Sequence, residues 1–138
     1  MSRPGKTLLV GAGIPIADST QFENGVVIAD VHGGRPFHQR IPVPIAMWNP
    51  VQQDGTVPIH LFGPGTAQVA QGRIGILICY EQLLVWPVLR SAAEAPTLLI
   101  AVSNSVVICH SVVPSVQKVC SEAWARLFGY PVVIAANS

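Results

Sequence analysis

Apolar residues fall along this chain in short unbroken runs, separated by stretches rich in polar residues, glycine and proline. Runs of this length, bounded by turn residues, read as buried strands. Thr7 to Gly11 (TLLVG) is the first and Gly25 to Val31 (GVVIADV) the second, closed by His32-Gly33-Gly34. Ile41 to Pro50 (IPVPIAMWNP) carries three prolines. It reads as an extended connection, because proline cannot donate to a strand ladder. Val51 to Gly65 reads as loop. Arg73 to Cys79 (RIGILIC) is the strongest strand, since near-continuous Ile and Leu imply burial on both faces. Thr97 to Val102 (TLLIAV) and Pro131 to Ala136 (PVVIAA) follow the same pattern.

The period changes between these later strands. A helix is expected from about Trp86, with Pro87 in its first turn and Val88, Leu89, Ala92 and Ala93 on one face. Ser115 to Phe128 is the clearest helix. Val116, Val119, Cys120, Ala123, Trp124 and Leu127 recur at helical spacing, Gly129 supplies the cap, and Pro131 follows. The late order of strand, helix, strand, helix, strand predicts an α/β layered fold. The strand-rich first part predicts that the sheet is mixed.

Composition sharpens this picture. Only 11% of residues are charged and 50% are hydrophobic, against about 25% charged in ordinary soluble chains. With 138 residues the chain is long enough for one domain. It is short of the polar side chains needed to cover a small domain. Part of its surface is therefore expected to be covered by more chain or by a partner. The net charge is +1 and the cations are scattered, so no stripe for nucleic acid or anionic lipid emerges. Cys79, Cys109 and Cys120 follow no disulfide or zinc spacing. Met1 to Lys6 lacks the apolar core of a signal peptide. Ala95 to Gln117 is uncharged and long enough to span a bilayer. Ser103, Asn104, Ser105, His110 and Pro114 favour a strand and a loop there instead.

Cys79 stands where the strongest strand gives way to a turn and a helix. Such a turn presents a side chain at the sheet edge, with backbone N–H groups converging on the same point. Those donors can stabilise an oxyanion, and a thiolate there can attack a carbonyl. The competing reading of Cys79 is a small buried hydrophobe.

The segment from Gly72 to Asn104 (GRIGILICYEQLLVWPVLRSAAEAPTLLIAVSN) resembles the nucleophile segment of the nitrilase, or carbon–nitrogen hydrolase, superfamily. It is most similar to TraB-type conjugal transfer proteins and apolipoprotein N-acyltransferases. The likeness rests on the run Gly72-Arg73 through Ile78-Cys79-Tyr80-Glu81 and on the strand ending Val102-Ser103-Asn104. Phe37 to Pro50 (FHQRIPVPIAMWNP) is closer to the TraB branch. The resemblance implies a Glu–Lys–Cys triad in an αββα sandwich, with the chain as the central part of one such domain, truncated at both ends. The glutamate would be the base, the lysine would stabilise the tetrahedral intermediate, and the cysteine would form a thioester. Cys79 matches the nucleophile. Tyr80 matches the residue whose N–H helps hold the oxyanion. Glu81 matches a second glutamate beside the nucleophile; a solvated carboxylate at a helix start is the alternative.

Two positions depart from the family. Its base lies upstream of the strand matching Thr7 to Gly11, and residues 1–6 contain no carboxylate. Its lysine position is held by Gln39, with Arg40 next to it as the nearest cation. Arg40 presents a planar fork rather than an ammonium. The resemblance implies an acyl or amide substrate, no cofactor or metal, and a bacterial role in plasmid transfer. It also allows a homo-oligomer or a partner in the conjugation apparatus. A degenerate, non-catalytic module with a binding or assembly role is the second reading. The chain alone is expected to be inactive and to self-associate. Dinucleotide binding at Gly11-Ala12-Gly13 with Asp30 fails for want of room for a crossover helix. A Cys–His pairing with His32, His38, His60 or His110 is favoured by no spacing.

Overall fold

The computed structural model describes residues 5–44, 47, 57–104 and 112–137. Cys109, His110 and residues 51–56 of the proline- and glutamine-rich tract expected as loop lie outside them. The first sheet is an antiparallel meander of β1 (Leu8–Pro15), β2 (Phe22–Asp30) and β3 (Gly33–His38). Asp30 accepts the His32 N–H at 2.8 Å in the β2–β3 turn, and Gly33 there adopts a φ of 125°, open to glycine alone without strain. Because β1 and β2 are antiparallel neighbours and Gly11-Ala12-Gly13 lies inside β1, no βαβ unit exists at this point.

The second sheet has the order β4 (Thr66–Val69), β5 (Gly72–Ile78), β6 (Leu98–Asn104), β7 (Val132–Asn137). β4 runs antiparallel to β5, while β5, β6 and β7 are parallel, so this sheet is mixed. Helix α1 (Val85–Ala93) connects β5 to β6, and α2 (Val113–Phe128) lies between β6 and β7.

Two cores hold three layers together. Val26, Ile28 and Phe37 of the first sheet pack against Val69, Ile74, Ile76, Ile78 and Ile100 of the second. On the other face of the second sheet, Leu77 and Leu99 meet Val88 of α1 and Ala125 of α2, with Trp124, Phe128 and Tyr130 around them. The alternation along β5 sends Ile76 and Ile78 one way and Leu77 the other, as burial on both faces requires. The described residues thus form a sheet–sheet–helix stack, an α/β fold.

Several elements differ from expectation. β3 and β4 have no hydrophobic run: β3 is GGRPFH and β4 is TAQV. Both are edge strands, where pairing on one side suffices and Pro36 is tolerated. Helix α1 buries Pro87, Val88 and Ser91 and leaves Leu89 exposed. Helix α2 begins at Val113 with Pro114 in its first turn and buries Gln117, Ser121 and Ala125. Val119 and Leu127, expected in the core, are 64% and 68% exposed. The reason for this inversion lies in the turn that follows β5.

Candidate active site around Cys79

β5 ends at Ile78, and the chain turns at once into a 3₁₀ segment, Cys79–Leu83, before α1. Cys79 opens that turn with φ of 49°, in the left-handed region. A non-glycine residue held there costs about 1–2 kcal/mol, so the surrounding packing must fix it. The fixing group is Glu81, which is fully buried. Its carboxylate accepts the Ile78 N–H at 3.1 Å, folding the turn back on the end of its own strand. It also accepts the backbone N–H of Arg40, and that of Ile41 at 3.3 Å. The alternative of a solvated carboxylate at Glu81 therefore does not describe this structure.

Arg40 is equally buried and pairs with Glu81 through Nη2 to Oε2 at 3.2 Å and Nε to Oε1 at 3.3 Å. Nη2 also reaches the Ile76 carbonyl at 2.9 Å, and Nη1 reaches the Pro87 carbonyl at 3.1 Å and the Ser91 hydroxyl at 3.3 Å. A guanidinium has five N–H donors, and these contacts occupy all of them. Arg40 is a strut joining the 39–41 segment, β5 and α1, and it has no donor left for an oxyanion.

Gln39 sits on the other side of this segment, 2% exposed. Its Nε2 donates to the Ile41 carbonyl at 3.0 Å and to the Ile78 carbonyl at 3.2 Å. Reversing the amide would set its oxygen against two carbonyl oxygens, so this orientation is the favourable one. Its Oε1 is buried with no hydrogen-bond partner. Gln39 thus ties its own segment to the end of β5, just before Cys79, through a neutral group.

Cys79 lines a cavity of about 500 Å³. The walls come from β1 (Leu9 to Ala12), β2 (Asn24 and Gly25), β6 (Val102 and Ser103) and β7 (Ile134 to Ala136). No charged side chain lines it among the described residues. None of His32, His38 and His60 does so, and His110 lies outside the described residues. Gln117 of α2 points its Nε2 at the Cys79 sulfur at 3.8 Å, a weak contact with an acceptor of low basicity.

Sequence reasoning missed Gln82. It is fully buried and ties its turn to two elements, β6 and α2: Nε2 donates to the Val102 carbonyl at 3.1 Å and the Ser103 hydroxyl at 2.8 Å, and Oε1 accepts the Ser121 hydroxyl at 3.0 Å. Its own carbonyl accepts the Trp124 indole N–H at 3.0 Å. This is why α2 turns Gln117 and Ser121 inward. The turn carries polar groups that must be satisfied where they are buried. The signal available in the sequence was the spacing of Gln117, Ser121 and Ala125, a second face four residues apart.

The sheet–sheet–helix stack is similar to the fold of nitrilase-superfamily amidases. The chain superposes on a mutant of the Nesterenkonia AN1 amidase from the nitrilase superfamily with a TM-score of 0.67 and 16% identity, covering 94% of this chain and 46% of that one. A second mutant of that amidase, showing covalent addition of the acetamide moiety of fluoroacetamide at its active site cysteine, gives a TM-score of 0.64 at 17% identity over the same shares. In sequence the chain is similar to TraB conjugal transfer proteins. It is 36% identical to the probable conjugal transfer protein TraB of Sinorhizobium fredii over 97% of its length, and 34% identical to the conjugal transfer protein TraB of Agrobacterium fabrum over the same share. The chain spans about a third of the length of these relatives, 36% and 33%. No family model matches it.

Proposed function

We propose that this chain is the central part of one carbon–nitrogen hydrolase domain in a TraB-like protein of plasmid conjugation, with Cys79 as the group that meets an amide or acyl substrate. The observation that carries this reading is Cys79 itself, held at φ 49° at the mouth of β5 and lining the cavity. The Cys79 sulfur would add to the substrate carbonyl while its proton passes to a base. The Tyr80 N–H would hold the oxyanion. The amine would then leave with a proton and water would release the acyl group from the thioester. Glu81, Arg40 and Gln39 act here as positioning residues. The base that the resemblance assigns falls upstream of Thr7, and residues 1–6 contain no carboxylate.

A second reading, a degenerate module that binds without catalysing, is favoured by one feature. Gln39 replaces the family's lysine, its donors are committed to two carbonyls, and no cation lines the cavity among the described residues. Fluoroacetamide or iodoacetamide with peptide mass mapping tests the site. Cys79 is buried and Cys120 is half-buried, so exposure alone favours Cys120. Faster alkylation of Cys79 in the folded protein would support a site built for small amides, and labelling of Cys120 alone would overturn it. An activated ester then separates the readings. A hydroxylamine-labile acyl group on Cys79 belongs to the first, and none to the second.

A further inference from the structure

Outside the cavity, three side chains from distant parts of the chain converge. Glu23 lies on β2, His38 ends β3, and His60 sits in the connection before β4. The Glu23 carboxylate is 7% exposed and stands between the two imidazoles. His38 Nδ1 lies 2.5 Å from Oε1, and His60 Nε2 lies 3.1 Å from Oε2. The rings are 5.7 Å apart between centroids, and the ligand atoms of all three residues lie within 4.8 Å of one another. We propose that Glu23, His38 and His60 form a binding site for a first-row divalent cation, zinc foremost.

The donor set argues for this. Two imidazoles and one carboxylate are a familiar zinc set that leaves a fourth position open. Tetrahedral zinc at about 2.0–2.1 Å from each donor sets donors about 3.3 Å apart, so the 2.5 Å His38–Glu23 pair would open and pairs nearer the 4.8 Å limit would close by side-chain rotation. Electrostatics argues for it too. A buried carboxylate charge requires a positive partner. Among the described residues the ion-pair partners of Glu23 are these two imidazoles alone. Both histidines are more than one-third exposed, so the open position faces solvent.

The backbone holds the donors in place. The Gln39 N–H, next to His38, donates to the Asn24 carbonyl, next to Glu23, at 2.9 Å. The His60 N–H donates to the Arg40 carbonyl at 2.8 Å. A cation here would pin the connection bearing His60 to the β2–β3 ladder, beside the Gln39-Arg40 segment.

The test is titration of the chelator-stripped protein with Zn²⁺ and Co²⁺. The expected result is one equivalent bound, visible d–d bands of cobalt without a thiolate charge-transfer band, and a rise in Tm with zinc. His60→Ala and His38→Ala abolish all three, while His32→Ala, on the exposed β2–β3 turn, keeps them. His60→Ala is the decisive variant, because its half-exposed connection can lose the ring without loss of the core, and circular dichroism in the absence of metal checks its fold. Absence of cobalt bands and of a Tm rise in the parent protein overturns the proposal. So does binding that survives His60→Ala and His38→Ala together, or a charge-transfer band assigning the metal to cysteine.

Discussion

Arg40 and Glu81 are both out of water, and desolvating two such charges costs several kcal/mol per ion. The structure offsets this by saturation: the carboxylate accepts from Ile78, Ile41 and Arg40, and the guanidinium spends every N–H. Removing one partner leaves the other charged and unpaired. Arg40→Met is therefore expected to cost about 3–5 kcal/mol of stability, measured by urea unfolding. The double variant with Glu81→Gln should cost less than the sum of the single changes. A loss under about 1 kcal/mol in Arg40→Met would remove the strut role. Arg40→Lys is no remedy, since an ammonium cannot reproduce five directed donors. The sequence marked Arg40 and Glu81 as site residues through their neighbours, but it could not show that they satisfy each other. That pairing joins residues 41 positions apart, and no local pattern carries it.

At the scale of elements, β5 and β6 were legible because burial on both faces leaves an unbroken apolar run. The edge strands β3 and β4 were not, because an edge needs neither apolar continuity nor two neighbours. α2 was legible as a helix, but its inward face was not. A helix turns toward whatever it must satisfy, and here that is the polar turn at Cys79 rather than the apolar stripe of Val116, Val119 and Leu127. The junction of α1 with β4 shows the same logic. Gly65 approaches the α1 backbone so closely that an added Cβ would lie 2.6 Å from Arg90 and Ser91 main-chain atoms. Its N–H donates to the Glu94 carboxylate at 3.1 Å. Burial pushes the Glu94 carboxyl up, but the Thr66 hydroxyl, the Gly65 N–H and the Arg90 and Arg73 charges outweigh it and hold it below its ordinary value of 4.5. A carboxyl depressed in the folded state stabilises the fold fully above its unfolded value and loses that contribution as pH falls through the folded one. Below pH 4.5 the parent protein should therefore lose Tm more steeply than Glu94→Gln, followed by circular dichroism in acid. Parallel Tm–pH curves would show that Glu94 contributes nothing of this kind.

At the scale of the molecule, the described residues leave apolar surface on both outer faces of the stack. Leu8, Val10 and Phe22 stand exposed on the three-stranded sheet, and among the described residues no helix covers that sheet's outer face. On the opposite side Val116, Val119 and Leu127 form an exposed line along α2. Among the described residues no helix is long and apolar enough to cross a membrane. Contiguous apolar surface in water favours association at about 25 cal/mol for each Å² removed. With only 11% charged residues, little electrostatic repulsion opposes it. A second copy of the chain is the partner always present in a purified sample. These 138 residues, expressed alone, are thus expected to elute from a sizing column larger than a monomer, and increasingly so with concentration. Val119→Lys combined with Leu127→Lys should shift the elution toward the monomer without altering the circular dichroism spectrum, because neither side chain belongs to a buried cluster. If the parent chain elutes as a monodisperse monomer at every concentration, the exposed faces do not drive association. If it associates but the lysine pair changes nothing, α2 is not the contacting face, and the outer surface of the three-stranded sheet becomes the one to alter next.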